Sequence, residues 1–176
     1  AAGGRIVLQL WHVGRVSHPD NRAPGTRSVG PSPTAARVRI FTATGIHPAP
    51  VPHEFAADEI EAIIRQYARA ARNAIDAGFD GVEIHAGNGY LIDQFLHASS
   101  NHRADSYGGS TENRSRLLWD VCRAVCRAVG NDRTETITNN STSGVGVDRN
   151  GDPVTVTGIG NARFFDGRLA DRCAAG

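Results

Sequence analysis

The chain has 176 residues, 40% of them hydrophobic and 21% charged, with a net charge of +1 at pH 7. That length holds one domain with a proper core, and a charge so near zero gives no reason to propose nucleic acid or an acidic membrane as partner. No run of about 18 apolar residues marks a membrane span, no charged-then-apolar leader opens the chain, and three cysteines fit a reduced, cytoplasmic protein better than a disulfide scaffold.

In chain order, Arg5 to His12 is a mostly apolar run bounded by Gly4 and Gly14, which predicts a strand covered on both faces, as in a parallel sheet. Gln9 interrupts it; such an amide is either a satisfied core group or a ligand contact. Val13 to Pro52 is rich in Gly, Pro, Ser and Thr and predicts a long loop covering a site. Within it, Arg37–Phe41 alternates weakly and suggests one arm of a hairpin. His12, His18, His47 and His53 lack zinc-like spacing and read as loop histidines.

Ala56 to Ala77 predicts a helix, since Ile60, Ile63, Ile64, Tyr67, Ala71, Ala74 and Ile75 recur at 3.6-residue spacing. Gly78 closes it, and Gly81 to His85 is too short for a helix and carries β-branched residues, so it predicts a buried strand. Beyond that strand's C-terminal end His85, Asn88 and Tyr90 fall within six residues, interleaved with Gly87 and Gly89. Sites of parallel α/β folds are built at such strand ends. A second loop is expected over Leu91–Gly109. Asp93-Gln94-Phe95 and Tyr107-Gly108-Gly109 are read as shaping and packing that loop. Ser110 is a plausible N-cap for a helix running to about Val129, with Gly130 ending it. Cys122 and Cys126, four apart on that helix, are read as core thiols and not a redox pair. Strands alternating with helices argue for βαβ units. Thr134 to Gly160 is Thr/Asn/Gly-rich, and Asn161 to Gly176, with Phe164, Phe165 and Leu169, suggests at most a short helix.

The stretch Gly78-Phe79-Asp80-Gly81-Val82-Glu83-Ile84-His85 through Phe95-Leu96, followed by Asn101-His-Arg103-Ala-Asp105-Ser-Tyr107-Gly-Gly-Ser-Thr-Glu112-Asn-Arg114, closely resembles the old yellow enzyme family of flavin-dependent ene reductases. Gln9-Leu10-Trp11-His12-Val13-Gly14-Arg15 resembles the third-strand motif of that family. The resemblance covers about residues 4 to 133. It implies an α/β fold that is part of a (β/α)8 TIM barrel, a shape of about 250 residues when complete, with strands three and four and their helices present here. Residues 1–133 are then the partial barrel and 134–176 a divergent tail, with a damaged fifth strand at most. The absence of methionine supports the expectation of a piece of a longer protein.

The resemblance also implies a chemistry: FMN as cofactor, NAD(P)H as reductant, and hydride passing through FMN to the C=C bond of a small α,β-unsaturated carbonyl compound. By position, Gln9 resembles the glutamine that bonds the flavin's pyrimidine edge, and Trp11 an aromatic lining the substrate pocket. His85 and Asn88 resemble the pair that binds the substrate carbonyl oxygen, and Tyr90 the tyrosine that delivers a proton. The family usually reads His-Gly-Ala-Asn or His-Ser-Ala-Asn where this chain has His85-Ala86-Gly87-Asn88. Its fifth-strand arginine and following apolar strand are replaced by Thr134–Asn140, and its first two and last two strands are absent. The alternative expectation is therefore a non-catalytic fragment that cannot hold flavin. Its open sheet would expose unpaired edges and an apolar inner face, and it could associate with itself.

Overall fold

The two long helices form where apolar spacing places them. In the computed structural model, which describes residues 3–140, 144–147, 153–156 and 160–163, α1 (Ala57–Asp76) buries Ile60, Ile63, Tyr67, Ala71 and Ala74 along one face. Helix α3 (Thr111–Val129) does the same with Leu117, Leu118, Val121, Cys122 and Val125. Their ends follow local chemistry. The Ser110 hydroxyl accepts the N–H of Asn113 at 3.2 Å, satisfying one of the orphan donors of the first turn. Gly130, at φ +94°, ends α3. The residue before α1 is Ala56, which has no capping oxygen. Its N–H instead donates to the Glu59 carboxylate at 2.8 Å, and His53 Nε2 meets the same carboxylate oxygen at 2.8 Å. These bonds hold the Glu59 carboxyl down at about 2.

Strand β1 (Val7–Leu10) pairs in parallel with β6 (Gly81–Ala86), placing Gln9 opposite Glu83 and Leu10 opposite Ile84. On the far side of β6 lies a third parallel strand, β7 (Thr134–Asn140), with His85 opposite Ile137. Strand β10 (Gly160–Arg163) completes this sheet antiparallel to β7. The order is thus β1-β6-β7-β10. Between β1 and α1 the chain forms β2 (Val29–Gly30), β3 (Arg39–Thr42), β4 (Gly45–Pro48) and β5 (His53–Glu54). Strands β3 and β4 are the hairpin that the alternation at Arg37–Phe41 predicts, while β2 and β5 form a two-residue parallel pair. Strands β8 (Gly144–Val147) and β9 (Pro153–Val156) pair antiparallel.

Side chains alternate across a strand, and the two faces of the sheet differ in kind. Leu10, Val82 and Ile84 lie in one core cluster with Ile60, Ile63, Ala71, Leu117, Val121 and Val125 from the helices. Ile60, Ile84 and Leu117 are each at most 1% exposed, so each contributes about 1.5–3 kcal/mol of burial. Gln9, Glu83 and His85 belong to the opposite face. That inner face is mixed: Val7 and Trp11 are exposed on it, and its central position is filled by an amide and a carboxylate joined by a hydrogen bond of 2.5 Å.

Two expectations about elements change. Leu91–Gly109 is not all loop, since Leu91–Leu96 forms the short helix α2, with all six residues buried. A helix of six residues has no room for a polar face and shows no period. Thr134–Asn140, read as a damaged fifth strand at most, forms β7 over seven residues, because alternate β-branched residues suit a pleated strand. Cys122 and Cys126 are buried and not disulfide-bonded, with Cys122 Sγ 3.4 Å from the Thr136 hydroxyl. The short helix suggested around Phe164, Phe165 and Leu169 lies outside the described residues. Among the described residues, no helix is long and apolar enough to cross a membrane.

Candidate active site

The turn after β6 is built from two successive left-handed residues, Asn88 at φ +58° and Gly89 at φ +76°. Asparagine and glycine are the residues that tolerate this conformation. The turn is then fastened by α2. The Asp93 carboxylate accepts the Gly89 N–H at 2.7 Å, and Gln94 Nε2 donates to the Gly89 carbonyl at 2.7 Å. The same Gln94 amide group donates to the Val13 carbonyl at 3.1 Å, and its Oε1 accepts the Arg15 N–H at 3.1 Å. A backbone bond of 3.0 Å from the Leu91 N–H to the His12 carbonyl joins the turn after β1 to the turn after β6. Gly14 at φ +60° lies so close to Gln94 that an added Cβ would come within 2.2 Å of Oε1.

On this frame four of the five sequence-predicted residues converge. His85, at the end of β6, is 7% exposed. Its Nε2 lies 3.4 Å from Asn88 Nδ2, and its buried Nδ1 has no hydrogen-bond partner among the described residues. The Tyr90 ring sits 5.7 Å from the His85 ring and meets Trp11 edge-on at 4.8 Å. Trp11 is 52% exposed. Gln9 lies further down the same face, its Nε2 committed to Glu83 and its Oε1 left to accept. An amide NH2 can only donate, so Asn88 bonds His85 directly only if Nε2 is unprotonated. With the proton on Nε2 instead, the two nitrogens become a pair of donors facing one space, which suits an oxygen atom.

The remaining predicted loop histidines have local partners. His12 Nδ1 accepts the Gly14 N–H at 3.0 Å, and burial lowers its pKa. His18 stacks on His47, with centroids 4.9 Å apart. Among the described residues no group of three His, Cys, Asp or Glu could hold a metal ion. A recess of about 320 Å³ opens on the α1 side of β1, bordered by Gln9, Trp11, His12, Ile63 and Tyr67. It does not include His85, Asn88 or Tyr90. Sequence reasoning gave Asp93 and Gln94 a structural role in the loop. What it could not show is that both fasten the Asn88–Tyr90 turn; the one available signal was two polar residues inside an apolar run.

A family model described as the NADH:flavin oxidoreductase / NADH oxidase family matches residues 1–154. The chain belongs to that family. This NADH:flavin oxidoreductase family chain is 52% identical over 136 residues to a probable flavin mononucleotide-dependent alkene reductase of Leishmania infantum, an alignment covering 74% of this chain and 37% of the relative. It is 49% identical over 136 residues to 12-oxophytodienoate reductase 7 of Oryza sativa subsp. japonica, covering 76% and 34% of the two chains. Among solved structures it superposes on the old yellow enzyme homologue from Zymomonas mobilis with a TM-score of 0.73 at 46% identity, over 76% of this chain and 37% of that one. It also superposes on morphinone reductase in complex with tetrahydroNAD, with a TM-score of 0.69 at 44% identity, over 76% and 39%. The chain thus spans about a third of the length of the relatives it matches.

Proposed function

We propose that this family chain carries the substrate-oxygen site of an FMN-dependent ene reductase, in the form of a partial (β/α)8 barrel built on β1, α1, β6 and α3. The barrel part is assigned to residues 1–133 and the divergent part to 134–176, of which β7 joins the parallel sheet. The observation that carries this reading is the His85–Asn88 nitrogen pair, 3.4 Å apart, with the Tyr90 ring 5.7 Å from that of His85.

The residues fit a flavin in kind, since Gln9 offers an amide acceptor on the face shared with His85. The chemistry a bound FMN would supply is passage of hydride from NAD(P)H to the C=C bond of an α,β-unsaturated carbonyl compound. His85 Nε2 and Asn88 Nδ2 would donate to the carbonyl oxygen, where negative charge develops, as an oxyanion hole; one such donor is worth roughly 3 kcal/mol. The Tyr90 hydroxyl would act as the general acid at the α-carbon, its ring packed edge-on against Trp11, and Trp11 would form the wall of the substrate site. Gln9 would hold the flavin's polar edge, exchanging its bond to Glu83.

The test is an FMN titration of the full chain by fluorescence quenching, followed by cyclohexenone reduction with NADPH. Saturable binding with turnover that falls at least 100-fold in Tyr90→Phe, binding retained, is expected. Turnover unchanged in that variant would remove Tyr90 from the reading. No flavin binding at all would favour the rival, a fragment that keeps the site residues without the cofactor.

A further inference from the structure

We propose that Gln94 is a positioning residue that holds the two halves of this site in register, the β1 turn carrying Trp11 and the β6 turn carrying Asn88 and Tyr90. The inference rests on the oxygen-site reading for its consequence, though not for its geometry. Gln94 is 1% exposed, and a buried amide must find partners. It finds three, all backbone and all on the two turns: the Val13 carbonyl, the Arg15 N–H and the Gly89 carbonyl. Two carbonyls on one side and one N–H on the other also settle which end of the amide is nitrogen.

The need for such a clamp follows from what else joins the turns. Besides Gln94, the contacts seen between them among the described residues include the Leu91–His12 backbone bond and the edge contact of Trp11 on Tyr90. One backbone bond fixes a distance and leaves a pivot. The three bonds of Gln94, spread over Val13, Arg15 and Gly89, remove that rotation. One of them also acts directly on the turn that carries the site residues. The Gly89 N–H is taken by Asp93 and the Gly89 carbonyl by Gln94, so the peptide groups on both sides of Gly89 are fixed by consecutive residues of α2. Asn88 and Tyr90 are the residues on either side. Gly14 completes the fit, since any Cβ there would strike the Gln94 amide. A residue that merely filled space under α2 would need none of these bonds.

Gln94→Glu tests this at constant size: the acceptor for Arg15 remains, while the donor to Val13 and Gly89 becomes a carboxylate oxygen facing two carbonyls. In a Trp119→Phe background, where Trp11 is the only tryptophan left, its emission reports the contact with Tyr90 without any ligand. With far-UV circular dichroism unchanged, Gln94→Glu is expected to shift Trp11 emission and to weaken 4-nitrophenol binding at least tenfold. The same substitution made on Asn88→Ala should weaken binding by a smaller factor than it does alone, because part of the Gln94 effect passes through Asn88. Unchanged Trp11 emission, or losses that multiply in the double variant, would overturn the proposal. Should Gln94→Glu fail to fold, Gln94→Met, close in volume and lacking all three bonds, carries the same expectations. If His85→Ala and Asn88→Ala both leave 4-nitrophenol binding intact, the oxygen-site reading fails, and Trp11 emission still decides whether Gln94 sets the geometry.

Discussion

Replacing Gly14 by alanine should destabilise the chain more than its local backbone strain accounts for, and the surplus measures the Gln94 clamp. Gly14 sits at φ +60°, where an added Cβ would lie 2.2 Å from Gln94 Oε1 and 2.8 Å from its Cδ and Nε2. The left-handed conformation alone costs an L-residue about 1–2 kcal/mol. The end of a glutamine side chain could ordinarily swing aside, but this one is buried and tied to Val13, Arg15 and Gly89. Displacing it breaks those three bonds at about 1 kcal/mol each, so with the conformational cost the total is about 4–5 kcal/mol. Gly25 is the internal control: it has φ +80° and nothing within 4 Å of its added Cβ. Gly25→Ala should therefore lose only about 1–2 kcal/mol. Urea unfolding followed by circular dichroism compares the two. Equal losses within about 0.5 kcal/mol, well inside the expected gap, would refute the claim that Gln94 is held rigidly against Gly14.

Two further outcomes follow from titrating groups. The Glu59 carboxyl is lowered to about 2 by the Ala56 N–H and by His53. The stability it contributes is thus present above its ordinary value near 4.5 and is lost as pH falls from there through about 2; Glu59→Gln should flatten the urea midpoint across that range, and a profile as steep as that of the parent would contradict the assignment. The Asp93 carboxylate raises the His97 imidazole above 6.5 against the opposing effect of burial. That contribution is complete below 6.5 and fades as pH rises through the higher folded value. Proton NMR of the His97 ring should give a midpoint above 6.5, and one at or below it would exclude the Asp93 bond in solution.

The sequence was legible where burial is periodic. α1 and α3 lie within a residue of the expected spans because apolar residues repeat every 3.6 positions, and the Ser110 cap and Gly130 stop follow from single residue types. It was less legible where tertiary contact decides. Helix α2 is buried on every side, so Leu91–Leu96 shows no polar face to mark it. Strand β7 is Thr- and Asn-rich and becomes a strand by pairing with β6. At the site, His85, Asn88, Tyr90 and Trp11 were identifiable from their place in a family-like motif, and the structure brings them together. The Gln9–Glu83 bond was not visible, because it depends on parallel register across 74 residues. Neither was the role of Gln94, which lies in partners on two distant turns.

The pairing of His85 with Asn88 as oxygen donors is the centre of the account. Its most direct test is 4-nitrophenol affinity in His85→Ala and Asn88→Ala, measured by equilibrium dialysis beside FMN binding. A hydrogen bond to a charged oxygen is worth about 1.5–3 kcal/mol, so each variant should bind the phenol roughly 10- to 150-fold more weakly while flavin affinity stays the same. Phenol affinity unchanged in both variants would contradict the assignment of this turn as the oxygen site.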